Sequence, residues 1–210
     1  MTQYRVLLPD GWYRYPVDGD PKRASRAFAD RHLVLLGGDD PTAVEARRRA
    51  RDDISSAFTT MADAGTTDLY FFDGRFGGAP MNMLFTIGVV YLGPTIAGLE
   101  LAEVAPALGA STTLTDLPVG AALRARSEGE LDGGGPLPAS LPRDLAAAFL
   151  AGSGPDVPAR TTRVDYLLPV PQEHGSFALI SFQCAGELFT DERVAHFDIL
   201  MTGFAWESGR

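Results

Sequence analysis

The chain has 210 residues, 45% of them hydrophobic and 10% aromatic, which suits one substantial domain with a core of its own. Its 27 acidic residues outnumber 18 basic ones, and a net charge of −9 repels phosphate backbones and anionic lipid, which argues against a nucleic-acid partner. Cys184 is the single cysteine, so no internal disulfide and no cysteine-based zinc site can form.

The opening "MTQYRVLLPD" has no positive segment followed by an apolar one, so a secretory leader is not expected and the expected location is the cytoplasm. Tyr4, Val6 and Leu8 alternate, Asp10-Gly11 is a turn signal, and "WYRYPV" resumes as a second strand. These predict a hairpin or a bent two-part strand. Alternation puts Trp12, Arg14 and Pro16 on one face and Tyr13, Tyr15 and Val17 on the other. One long helix can cover only one of those faces, and the open face becomes a candidate binding surface through Trp12, Tyr13 and Tyr15.

Asp20-Pro21 begins a helix, with Ala24, Ala27, Phe28 and Arg31 recurring at helical spacing. A longer helix follows, capped by Asp40, started by Pro41 and closed by Gly65. Ala46, Ala50, Ile54, Ala57, Phe58 and Met61 form its apolar stripe, while Arg47, Arg48, Arg49 and Arg51 are bracketed by Glu45, Asp52 and Asp53 on a solvated face.

Residues 76–99 carry no charge and are long enough to span a bilayer. Five glycines, two prolines and the alternation of Met81, Met83, Phe85, Ile87, Val89 and Tyr91 predict a strand instead, paired with "TDLYFF" through Asp73-Gly74. No membrane insertion is expected. A short helix is predicted over "PTIAGLELAEVAPAL", with Pro106 limiting it. "STTLTDLPVGAALRARSEG" reads as two strands, the second with Leu123 and Ala125 inward and Arg124 and Arg126 toward water.

From Gly129 to Arg160 there are six glycines and five prolines, the composition of a flexible insertion in a single domain spanning 1–210. Within it "SLPRDLAAAFLAG" could present Leu141, Leu145 and Phe149 to a partner. Two more strands flank a turn at 171–175, and a last helix begins at Thr190 with a stripe of Val194, Phe197, Met201 and Phe204. Because helices do not alternate with strands, the expected fold is α+β: an antiparallel sheet of about six or more strands with helices packed on one face.

Catalytic motifs are missing. Cys184 and His174 flank one hairpin, but "FALISFQC" reads as a buried strand, and a reactive thiol needs an accessible, electropositive setting. His196 and Asp198 lie two apart on a helix and point in different directions, and no metal-ligand spacing appears, so neither metal nor cofactor is expected. "LGGDD" and "DGGGP" lack the lysine, hydroxyl and strand-to-helix setting of a phosphate loop.

"YRVLLPDGWYRYPVD", "TRVDYLLPVP", "FALISFQC" and "FDILMTGFAW", in this order around the long helix, resemble actinobacterial members of the PsbP-like α/β sandwich superfamily. The similarity spans most of the chain and weakens over 94–160. It implies binding and assembly rather than turnover, since members act as photosystem subunits, an import factor, lipoproteins and secretion chaperones. The signal peptide and lipidated cysteine of the lipoprotein members are not expected here, which argues against an envelope location. Three readings follow: a protein-binding adaptor or chaperone for a secreted or toxin-type partner, a small-ligand binder using aromatic sheet residues, and an enzyme built on Cys184 and His174.

Overall fold

The computed structural model describes residues 3–33, 41–76, 79–93, 96, 99–108, 111–130, 160–185 and 190–207. In chain order these form β1 (Gln3–Val6), β2 (Trp12–Pro16), α1 (Pro21–His32), α2 (Pro41–Asp63), β3 (Thr66–Phe76), β4 (Ala79–Tyr91), α3 (Leu101–Leu108), β5 (Thr112–Leu117), β6 (Gly120–Glu130), β7 (Arg160–Pro169), β8 (Ser176–Ala185), α4 (Thr190–Thr202) and β9 (Phe204–Glu207). Seven strands make one antiparallel sheet in the order β2-β3-β4-β8-β7-β6-β5, and β1 pairs with β9 in a separate ribbon. The fold is therefore α+β, as the element order predicts.

The sheet is two antiparallel meanders, β2-β3-β4 and β5-β6-β7-β8, joined where β4 meets β8 over Met83↔Cys184 to Tyr91↔Ser176. The uncharged 76–99 stretch thus supplies a central strand. Among the described residues no helix is long and apolar enough to cross a membrane. Gly65 closes α2 in the left-handed region at φ 84°, its amide bonding Ala62 O at 3.0 Å, and the chain turns straight into β3.

Both faces of the sheet are buried. On one, Tyr70, Phe85, Val164, Tyr166, Ile180 and Phe182 pack beneath Val194, Phe197, Leu200 and Met201 of α4, with the β1–β9 ribbon extending the cover through Tyr4, Val6 and Trp206. On the other, Phe28, Ile54, Phe58 and Met61 of α1 and α2 cover Tyr15, Leu69, Phe71 and Leu84. Val104 of α3 covers Leu123, Leu167 and Phe177 further along the same face.

Four local expectations change. Residues 3–6 do not form a hairpin with 12–16. They pair with the last strand, Tyr4 opposite Trp206, because two-sided burial leaves the first segment room only outside the main sheet. The terminal helix stops at Thr202: Gly203 turns the chain, its amide bonding Leu200 O at 3.0 Å, so Phe204 is buried from a strand rather than a helix stripe. The helix predicted from Pro94 is interrupted at Leu99 and Glu100, and the described helix that follows is Leu101–Leu108, with Pro106 inside it. Helices lie on both faces, so Arg124 points beneath α4 and pairs with Asp198 at 2.9 Å, while Arg126 keeps a solvent-facing pair with Asp191 at 3.1 Å.

β6 and β7 remain paired to Glu130↔Arg160, so the Gly/Pro-rich stretch leaves and re-enters the sheet at adjacent points. Asp40 and residues 131–159, with Leu141, Leu145 and Phe149, lie outside the described residues.

Phe197 is fully buried and stacks on Phe182 at 4.7 Å. Phe197→Ala is expected to cost about 3–5 kcal/mol through lost burial and an unfilled cavity, read as a lower urea midpoint at unchanged slope.

Candidate functional site

Among the described residues β2 is an edge strand, paired only with β3, Trp12 opposite Phe72 and Pro16 opposite Asp68. Its entry turn needs Gly11, whose φ is +93° and where a Cβ would stand 2.9 Å from the Phe72 ring.

The two faces of β2 have different fates. Trp12 is 8% exposed, packed on Phe72 and Phe85 at 5.4 and 5.1 Å, and stacked on His196. Its indole N–H donates to His196 Nε2 at 3.4 Å, an arrangement that needs Nε2 unprotonated, and burial lowers the His196 pKa. Tyr15 is 6% exposed, edge-on to Phe28, with its hydroxyl 2.8 Å from His32 Nε2. Burial raises that hydroxyl to about 12. Tyr13 is half-buried, with the Arg31 guanidinium 3.9 Å over its ring. Of the three aromatics, Trp12 and Tyr15 belong to the core on opposite faces, and Tyr13 is the one with accessible surface.

Arg14 points to the Trp12 side and grips Asp68 at 2.7 and 3.0 Å. The Asp68 carboxylate also accepts from the Tyr4 hydroxyl, whose pKa rises through burial and then through that bond. Asp68 is 2% exposed, so this shared acceptor ties the β1–β9 ribbon and the edge strand to β3.

The free edge can be read from the ladder. Asp73 N bonds Gly11 O at 2.8 Å and Val17 N bonds Thr67 O at 2.8 Å, which makes residues 11, 13, 15 and 17 the ones bonded to β3. Trp12 and Arg14 therefore aim their N–H and C=O outward, and Pro16 its C=O. Pro16 itself removes one outward donor, a common feature of edge strands.

Along this edge runs a cleft of about 690 Å³, lined by Tyr13, Arg14, Tyr15 and Pro16 on one side and by Asp20, Arg23, Ala27 and Arg31 among the residues opposite. Consecutive β2 residues point to opposite faces, and a cleft lined by Tyr13 and Tyr15 together with Arg14 and Pro16 is consistent with a position at the strand edge. α1 is started by Pro21 and capped by Asp20, whose carboxylate accepts from Arg23 N at 2.9 Å. It carries Lys22, Arg23, Arg26 and Arg31 against Asp30 alone, a net +3 that leaves −12 for the rest of a chain totalling −9. Arg23 and Arg31 are exposed, and no described acidic side chain forms an ion pair with either. Their signal was present in the sequence as Arg23, Ala27 and Arg31 at four-residue steps; which strand they would face was not.

Cys184 is 3% exposed with its thiol pKa raised by burial. His174 lies in the turn before β8, and Ser176–Cys184 spans about 26 Å at roughly 3.3 Å per residue, so the two do not meet. Among the described residues no three of His, Cys, Asp and Glu converge as a metal set. Two further polar groups are structural in form. Arg124, Tyr166 and Asp198 join α4 to β6 and β7, and Arg163, Asp165 and Ser181 bond one another on the opposite face. Neither the models of known protein families nor the curated proteins include a match to the chain.

Burial lowers the pKa of both His32 and His196 from 6.5. Below about 6.5 the unfolded chain then binds protons that the folded one refuses, so stability falls as pH drops through that range. His196→Phe keeps a ring against Trp12 and should flatten part of this dependence. Urea midpoints measured between about pH 7.5 and pH 5.5 check it, and identical slopes for the two proteins would contradict it.

Proposed function

We propose that the protein is a non-catalytic binding domain, an adaptor or chaperone-like module for another protein, with the cleft between β2 and α1 as its contact surface. One observation carries this reading: outward-facing backbone groups of an edge strand line the cleft beside two exposed arginines of a helix with net positive charge. The burial of Cys184 supports it, since a thiol with a raised pKa at pH 7 is a poor nucleophile. So does the resemblance to PsbP-like proteins, which implies assembly roles and, from the secretion chaperones among them, a secreted or toxin-type client met in the cytoplasm.

The test is photo-crosslinking from the cleft. With Tyr13 replaced by benzoylphenylalanine, protein recovered from its native host should carry one predominant adduct, identified by mass spectrometry at near-stoichiometric yield. Repeated recovery without a stoichiometric partner overturns the reading.

A second reading has its own observation. The cleft volume lies within the range of small-molecule sites, and Tyr13 with Arg31 offers an aromatic face beside a cation. Thermal-shift screening against anionic aromatic metabolites decides it: a ligand of the folded state raises the melting temperature, and Arg31→Ala should remove the shift.

A further inference from the structure

We infer, resting on the adaptor reading, that the β2 edge takes up an extended segment of its partner as an eighth strand, and that this segment carries acidic side chains four residues apart. The backbone half follows from the ladder. Trp12 and Arg14 each present outward an N–H and C=O that no described residue pairs, and Pro16 adds a C=O but no donor, so pairing is offered over Trp12–Pro16 and ends there.

The charge half follows from α1. The helix lies along β2 in the opposite direction, since Arg31 sits over Tyr13 while the Gly19–Asp20 end adjoins Pro16 in the cleft. Arg23 and Arg31 are eight residues apart, about 12 Å along a helix at 1.5 Å per residue. In a strand at roughly 3.3 Å per residue, side chains at positions i and i+4 lie about 13 Å apart and on the same face. A strand laid on β2 continues the pleat of the sheet. Two acids four apart on its α1 side therefore reach Arg23 and Arg31 together, whereas a spacing of three sends one of them to the far face. Arg14 adds little to this, its guanidinium being taken by Asp68.

A second copy of this chain is the wrong occupant. Two β2 edges paired about a twofold axis would bring two helices of net +3 alongside each other.

The probe is a library of fluorescent octapeptides with Glu at positions i and i+4 and the other positions randomised without proline, measured by anisotropy against the full chain. Binders should emerge, should weaken about tenfold or more on Arg23→Glu with Arg31→Glu, and should weaken similarly when the two glutamates are moved three apart. Methylating the peptide backbone nitrogens that face β2 should abolish binding, and a bound peptide should slow hydrogen exchange of the Trp12 and Arg14 amides. Both arginines are exposed, and an unchanged melting temperature confirms that the double variant remains folded.

An empty library overturns the inference, as does indifference to the arginines, the spacing or the N-methylation. Chain that dimerises through β2 in sedimentation also overturns it. A native partner still crosslinked by the Arg23→Glu, Arg31→Glu protein sinks this mode of binding while leaving the adaptor reading in place; the lack of any stoichiometric partner on the unaltered protein sinks the adaptor reading itself.

Discussion

The pairing of β4 with β8 is the constraint on which the rest of the molecule depends. It fuses two meanders into one seven-stranded sheet, and the strands it brings to the centre carry apolar residues on both sides: Phe85 and Phe182 are 4.7 Å apart on one face, while Leu84 and Leu179 belong to the cores on the other, beside the buried polar Thr86, Ser181 and Gln183. A sheet with two apolar faces must be covered twice. The chain does so with α1, α2 and α3 on one face and α4 with the β1–β9 ribbon on the other. The ribbon unites the two ends of the described chain, so closing the second face requires the last strand as much as the first.

Two polar networks hold that second cover in place. Asp68 accepts from Tyr4 and Arg14 near the β2 end, while Asp198 accepts from Tyr166 and Arg124 nearer the β5 end. In each, one carboxylate serves a tyrosine and an arginine from different elements. Such charge-assisted bonds add direction to packing that is otherwise tolerant of sliding. Arg124 is only 22% exposed because α4 lies over it, so its charge joins helix to sheet rather than solvating a surface.

With both faces covered, the sheet has only its edges to offer. At β5 the flank is α3, and Leu114 projects with 52% of its surface exposed. At β2 the flank is the basic helix α1, the strand is short, and Pro16 limits the pairing it can make. That combination suits selective, charge-guided addition of one strand and guards against indiscriminate edge-to-edge association. A chain of net −9 with one helix of net +3 also presents a directional field that favours acidic segments at this edge over the rest of its surface.

Much of this was legible from local pattern. Period-two alternation located β2 and β4 and split Trp12 from Tyr15, since that split is a property of the pleat and needs no partner. Asp20-Pro21 and Gly65 marked helix ends because caps and left-handed turns are local chemistry. What β1 pairs with, where α4 gives way to β9, and the burial of Arg124 under α4 were decided by contacts between residues far apart in the chain. The same holds for the cleft: Arg23 and Arg31 share a helix face by spacing alone, but only the tertiary structure laid that face along the free edge of β2. The sequence by itself determined which residues could form strands and helices and which side of each is apolar. The tertiary structure decided which edge stayed open, because strand order and two-sided burial are set by the whole set of long-range pairings at once.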